Sequence, residues 1–482
     1  MKFKTDGWLF VIAVLAIAAA LFVPLPTPDS PWWLNRQLPP VDIVSAMAWF
    51  LAAAGFWAFQ ARFWPGDRRE SRRVRNVVLL LVLQAVLVRA AFELGAIYHP
   101  LPWPWLPEGA WVWVPWFLMP GVAGILLGGR HGLLVCLASA LMLYLIADPG
   151  PWVLTGCATS PLVGILLLRR SPSRSRVLRA ATGTGSTLGV VAACHYGMQG
   201  SPVDAVAAAI LTPMLVGFLT GFVVLAVLPL LEWMLGELSD VTLTEYGTDH
   251  HLLDQLRTEA PGTWYHSLNV ADLAEKAAAE IGARAIFCKI SALYHDIGKL
   301  KAPAFFAENT DGPSPHDQLE PQASAQKIIE HVSYGLELAR KHRLPKAFRE
   351  IIAEHHGVSV VRFFYAKACQ PRPDGSLPSV RRASFAYPGP PPSTRESGII
   401  SLADAVEAAS RSLSSRYEPE LRALVRRLIG DRIAEGELAQ CPLTLSDLAK
   451  VEAAFIKWLK SRNHYRPAYP GIPAAAGSSK AG

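Results

Sequence analysis

The chain has 482 residues, 51% of them hydrophobic, and a mean hydropathy of +0.25. It is too long for one ordinary domain and too apolar for an ordinary soluble protein. The net charge of +7 comes largely from short arginine runs between apolar segments, with no basic and aromatic recognition motif, which argues against a nucleic acid polymer as partner.

Residues 1–235 read as apolar segments at 8–25, 41–62, 76–97, 110–128, 131–148, 150–169, 179–198 and 204–232. A bilayer crossing takes about 20 apolar residues. The first segment starts with Lys2 and Lys4 and lacks a small-residue cleavage site. Residues 1–40 therefore read as an uncleaved signal-anchor span with a short external loop, and 41–235 as a membrane helix bundle. The Gly-, Ser- and Thr-rich segment 179–198 is the weakest, so seven spans stay open beside eight. The basic stretches GDRRESRRVR (66–75) and RRSPSRSRVLR (169–179) belong on the cytoplasmic side. Eight crossings then leave both ends inside, as in a multi-pass protein of the cell membrane. GTGSTLG at 183–189 follows no strand and lacks the Gly-Lys-Ser/Thr ending of a phosphate loop. Close packing of small residues between helices is its expected role. Six cysteines without a CxxC pair fit a reducing compartment.

The composition changes after 235. Residues 236–260 read as a linker, with LLEWMLGELSDVTLTEYGT (230–248) as one helix coupling the last span to the C-terminal domain. Residues 261–465 carry charge throughout and apolar positions at helical spacing, as in IIEHVSYGLELARKH (328–342) and ELRALVRRLIGDRIAEG (420–436). The predicted class is all-α: a polytopic membrane helix bundle followed by a cytoplasmic all-α domain. Residues 370–397 read as a loop or lid, and 466–482 as a disordered tail.

Ten of the 13 histidines lie after residue 240. His266, His295, His331, His355 and His356, with Asp296 and Asp404, all sit in apolar, helix-like surroundings. Singly, each reads as a hydrogen-bonded core residue. Together they would leave many polar groups unsatisfied in one core, a difficulty that bound metal removes. Imidazole and carboxylate without thiolate suit Fe, Mn, Zn or similar ions. Seven candidates exceed one open ion site, and two ions sharing one carboxylate fit them, an arrangement suited to cutting phosphodiesters. In LYHDIGKLKAP (293–303), read as buried helix, Asp296 could bridge two ions while His295 reaches one. Gly298 would let the chain pass close to the site. Lys299, one turn on, could meet a phosphate oxygen as a point charge. Arg411, seven residues after Asp404, is a candidate substrate contact.

These residues resemble the H…HD…D ligand set of the HD-domain phosphohydrolases. APGTWYHSLNVADLAEKAA, YHDIGKLKAPAFFAEN, SPHDQLEP, EHHGVSVVRFFYAKA, YPGPPPSTRESGII and LADAVEAASRSL look like one subfamily, the seven-transmembrane HD-domain phosphodiesterases, which hydrolyse cyclic di-AMP to linear pApA. The resemblance covers about 205–465 by motif and 41–205 by hydropathy. It implies an HD domain, with one metal on His266, His295, Asp296 and Asp404 and a second on Asp296, His331, His355 and His356. The family's metals are usually iron or manganese. The expected mechanism is in-line attack on phosphorus by a hydroxide held between the two ions, with Lys299 beside the scissile phosphate. Family members usually carry a large external domain after the first span, and the interval 26–40 is too short for one. Cyclic di-GMP is the rival substrate, but its HD subgroup usually has Gly-Tyr-Pro after the His-His pair, where this chain has HHGVSVVRFFY. An inactive nucleotide-binding membrane sensor is the rival from another class, although such modules usually lose ligands. Pairing into a homodimer could transmit a signal.

Overall fold

A computed structural model describes residues 73, 75–88, 113–147, 151–168, 173–248, 250–310, 312–371, 378–411, 413 and 417–461. The expected first two spans, the short loop between them and the tail lie outside these residues. The chain divides into two compact units, Met1–Thr242 and Leu243–Gly482.

The described part of the first unit is helical. It contains α1 (Arg75–Val88), α2 (Leu118–Leu126), α3 (Gly129–Ala147), α4 (Pro151–Leu167), α5 (Arg174–Met198) and α6 (Val203–Leu235). One of these, α6, is long and apolar enough to cross a membrane. The GTGSTLG stretch lies inside α5 and forms no phosphate loop. Two of its glycines, Gly185 and Gly189, press α5 against α6. A Cβ on Gly185 would lie 2.1 Å from the carbonyl oxygen of Pro213, and one on Gly189 2.7 Å from that of Ile210. From the other side, a Cβ on Gly217 would lie 2.5 Å from the carbonyl oxygen of Ala181. Small residues bring the backbones together, and packing over that surface holds the pair. Large apolar side chains of α6, including Leu215, Phe218, Leu219 and Phe222, remain exposed.

The stretch 230–248 is not one helix. Gly236 adopts the left-handed conformation (φ 66°) and ends α6, its N–H donating to the carbonyl of Glu232. This is the glycine stop that L-residues with a Cβ disfavour. The Glu232 carboxylate then accepts hydrogen bonds from Ser239 N (3.0 Å) and Thr242 Oγ1 (2.8 Å), fixing the turn into α7 (Asp240–Thr248).

The described part of the second unit is also all-helical, with a single isolated bridge between Val360 and Ala386. After α8 (His251–Glu259) come α9 (Pro261–Glu280), α10 (Ala285–Ala292), α11 (Pro321–Lys341) and α12 (Lys346–Glu354). They are followed by α13 (Arg362–Ala368), α14 (Arg395–Ser410), α15 (Glu418–Ala434) and α16 (Leu445–Ser461). The central element is α14. It starts with a capping box between Thr394 and Ser397, and eleven of its residues, Glu396 to Asp404 together with Val406 and Glu407, are buried. A helix that is apolar nearly all round belongs in a core. Burial of Ile399, Ile400, Leu402 and Val406 stabilises the unit by roughly 1.5–3 kcal/mol per side chain. Helix α9 packs against α10, α14 and α16, and so delivers His266 to the face of α14 that carries Asp404.

Candidate metal centre

Two helix ends and the faces of three helices bring the seven residues together. Helix α10 stops at Ala292, and the chain passes through turns into a 3-10 stretch, Ile297–Lys301. The expected continuous helix through the HD pair is therefore broken. The cause is close approach to α11: a Cβ on Gly298 would lie 1.8 Å from the carbonyl oxygen of His331. Only glycine lets this segment press against the turn that carries His331. His355 and His356 directly follow the last residue of α12, which frees both rings to turn inward. His266 and Asp404 lie within α9 and α14.

The result is two groups, His266, His295 and Asp404, and Asp296, His331, His355 and His356, each able to offer ligand atoms within 4.8 Å of one another. Asp296 joins them. Its Oδ2 lies 3.4 Å from His266 Nε2 and 3.2 Å from His295 Nε2. Its Oδ1 lies 3.4 Å from His331 Nε2 and 3.7 Å from His355 Nε2. Asp404 sets Oδ1 3.0 Å from His266 Nε2 and Oδ2 3.5 Å from His356 Nδ1.

The imidazoles are oriented from behind. The Nδ1 atoms of His295, His331 and His355 meet the carbonyl oxygens of Ala292, Ile328 and Ile352 at 2.7, 2.5 and 2.9 Å. His266 Nδ1 meets Glu407 Oε2 at 2.6 Å. A carbonyl or carboxylate can only accept, so Nδ1 carries a proton, and in the neutral imidazole Nε2 turns its lone pair inward. The consequence is conflict within the protein alone. Nε2 of His331 and Nε2 of His355 face each other at 3.3 Å, two acceptors with no proton between them. His295 Nε2 and Asp296 Oδ1 are buried without a hydrogen-bond partner. Orphaned acceptors converging on one point are what a cation satisfies, so this donor set fits metal.

The two groups differ electrostatically. Burial opposes charge on every imidazole. At His295 the charge of Asp296 outweighs burial, and the pKa is pushed up to about 9. His266 is likewise raised, by hydrogen bonds to Asp296, Asp404 and Glu407 that overcome burial. In the other group burial wins: His331 is lowered, His355 falls to about 3 with His295 adding repulsion, and His356 lies well below its usual value. Asp296 and Asp404 are held well below the usual carboxylate range, because neighbouring imidazoles, and Lys299 at Asp296, outweigh the cost of burial.

Lys299 sits at the edge of this centre. The 3-10 turn closes Lys299 N onto the carbonyl of Asp296 and stacks the two side chains. Its Nζ lies 2.7 Å from Asp296 Oδ2 and 2.7 Å from Glu308 Oε1, over the Phe306 ring at 4.9 Å. Glu308 has no role predicted from sequence, although it belongs to the AFFAEN stretch that carries the family resemblance. Its segment is latched to α9 by Asn309, whose Oδ1 accepts from Thr263 N at 3.0 Å. Tyr387, from the expected lid, stacks on His356 with ring centroids 4.2 Å apart.

Arg411 is directed elsewhere than expected. It forks onto Glu407, with Nε 3.1 Å from Oε2 and a terminal nitrogen 2.9 Å from Oε1. The i, i+4 spacing on a helix puts the two side chains on one face, and a buried carboxylate draws the cation. Arg411 lines a cavity of about 160 Å³ with Asn269, Glu407 and Trp458, and none of the seven candidate ligands lines it. Glu407 is the second residue missed. Its place three positions after Asp404 on the same helix was the available signal. His316 braces the loop by placing Nε2 2.8 Å from the Phe305 carbonyl.

Known proteins share both parts of this chain. Residues 263–409 match the HD domain, and residues 43–239 match the family described as "7TM receptor with intracellular HD hydrolase". The cyclic-di-AMP phosphodiesterase PgpH of Bacillus subtilis is 35% identical over 317 residues, 64% of this chain and 44% of the relative. An uncharacterised Synechocystis protein, slr0104, is 32% identical over 414 residues, 83% of this chain and 49% of the relative. The crystallised HD domain of L. monocytogenes PgpH in complex with cyclic-di-AMP is 35% identical, covering 45% of this chain and 99% of that one with a TM-score of 0.42. The chain thus spans about half the length of the curated relatives it matches. With an HD domain joined to a segment of the 7TM receptor type, the chain belongs to the 7TM-HD family.

Proposed function

We propose that this protein is a membrane-anchored, metal-dependent phosphodiesterase that hydrolyses cyclic di-AMP to linear pApA. The observation that carries the reading is Asp296, which turns one oxygen to each of two groups of imidazole nitrogens. The relatives named as cyclic-di-AMP phosphodiesterases support the choice of substrate.

His266, His295 and Asp404 would hold one divalent ion, and His331, His355 and His356 the other, with Asp296 shared between them. Iron or manganese suits this nitrogen and oxygen donor set. When bound, such a pair supplies Lewis acidity and a water made acidic enough to attack phosphorus at neutral pH. The remaining work belongs to the side chains. Backbone carbonyls and Glu407 hold four of the five imidazoles with Nε2 inward, which preorganises these donors. Asp296 and Glu308 outweigh the cost of burying Lys299 and keep its ammonium charged. That charge would meet a non-bridging phosphoryl oxygen as negative charge builds up on it. Phe306 under Lys299 and Tyr387 stacked on His356 pack the two side chains in place.

The membrane reading rests on α6 and its exposed apolar side chains. With the basic stretches 66–75 and 169–179 inside, the HD domain is cytoplasmic and the rest of the first unit forms a lipid-embedded bundle. A homodimer is part of the same proposal.

The test is turnover. Full-length protein in detergent, loaded anaerobically with Mn(II) or Fe(II), is incubated with cyclic di-AMP and with cyclic di-GMP, and products are separated by chromatography. The expected result is pApA from cyclic di-AMP, abolished in Asp296→Ala. Preferred cleavage of cyclic di-GMP would sink the substrate, and tight binding without cleavage of either would make the protein a sensor.

A further inference from the structure

We infer that Glu407, clamped by Asn269 and Arg411, is a positioning residue that sets the metal affinity of the His266 group; this rests on the two-ion reading of the centre. Four imidazoles of the centre turn Nε2 inward, and three of them anchor Nδ1 on carbonyl oxygens of their own chain segment. Those anchors are fixed by the backbone three residues upstream. His266 instead anchors on a side-chain carboxylate 141 residues away, at 2.6 Å.

Two features set this anchor apart. It carries a negative charge, which makes the imidazole a stronger donor to a cation than a carbonyl does. It also needs holding, because a glutamate side chain has rotamers that a helix carbonyl lacks. Asn269 Nδ2 donates to Glu407 Oε1 at 2.9 Å, and Arg411 grips both oxygens from the next turn of α14. Asn269 lies three residues after His266 on α9, so the clamp joins the two helices that carry His266 and Asp404. Glu407 is buried, yet its outer side forms part of the wall of the 160 Å³ cavity. Shortening it enlarges a space that already exists. A purely structural buried ion pair would influence folding alone. A positioning carboxylate influences one ion and leaves the other as it was.

The experiment separates these. Full-length protein is stripped with a chelator and titrated with Mn(II) by calorimetry, for wild type, Glu407→Ala, Glu407→Gln, Arg411→Met and a His266→Ala reference. In Glu407→Ala, one Mn(II) equivalent should weaken by about 10–100-fold, the range for loss of such a partner. It should be the equivalent that His266→Ala loses, with the other as in wild type. Glu407→Gln keeps an acceptor for Nδ1–H without the charge and should fall between wild type and alanine. Arg411→Met should weaken the same equivalent less. Unchanged binding of both equivalents in Glu407→Ala, or equal weakening of both, overturns the inference. A wild type that takes up a single ion contradicts the two-ion reading, and Glu407 is then judged by whether that one ion weakens.

Discussion

Two sets of buried carboxylates can be compared within the HD unit. Glu354, Glu396 and Glu437 are as buried as Asp296 and Asp404. The glutamates are satisfied by the frame. Glu354 accepts from Ser393 N and Ser393 Oγ at 2.9 and 2.8 Å, Glu396 from Arg284 N at 3.2 Å, and Glu437 from Val358 N at 3.2 Å. They pin the loops around the centre and need nothing further. The aspartates face imidazole nitrogens, and Asp296 Oδ1 has no hydrogen-bond partner at all. Burial by itself therefore does not identify a functional carboxylate. What sets the two aspartates apart is a set of neighbours that a cation would complete.

The comparison can be broken at several points. Asp296→Ala should lose the most, with turnover down by about 10³-fold or more, since a shared ligand and its charge are both removed. Its melting temperature should also stop responding to chelation, whereas wild type gains about 2.7 kcal/mol from metal at one hundred times the Kd. Lys299→Met should lower kcat by about 10²–10³-fold while metal content stays at the wild-type level. An equal loss of bound metal would make Lys299 a support for Asp296 and nothing more.

Glu354→Ala should do the opposite of Asp296→Ala. Losing the two hydrogen bonds that Ser393 donates to a buried carboxylate should cost about 1.5–3 kcal/mol of stability, with the metal-dependent shift in melting temperature intact. If that shift vanished, the frame and the centre would not be separable. The smallest effect concerns pH. Burial raises the Glu437 pKa above its usual value. A raised folded pKa means that the favourable contribution is complete below the unfolded value, about 4.3, and is lost as pH climbs through the folded value. Glu437→Gln should therefore flatten the fall in stability that begins above pH ~4.3, as measured by denaturant unfolding across pH. An unchanged slope would show that Glu437 does not titrate in this way.

Much of the centre was legible because its residues are costly where they stand. Five histidines and two aspartates in apolar helical surroundings require a reason, and the structure gathers all seven. What escaped were residues whose role depends on direction. Seven residues after Asp404 put Arg411 near the same helix face, but Glu407 lies between and takes the guanidinium. Glu308 is an unremarked acid in sequence, and only the fold brings it to Lys299. Two helices were drawn too long for one reason. Apolar periodicity runs on through Gly298 and Gly236, but backbone approach to His331 ends one helix and a left-handed turn ends the other. In the first unit, α3 to α6 fall close to expected segments, whereas the first two spans and the tail lie outside the described residues.

If Asp296 joins two ions in one site, manganese reports on it directly. Full-length protein loaded with Mn(II) should hold two ions per chain, and its electron paramagnetic resonance spectrum should show them magnetically coupled. Asp296→Ala should lose that coupling. One ion per chain in the wild type, or two ions with no coupling and no response to Asp296→Ala, would contradict the account.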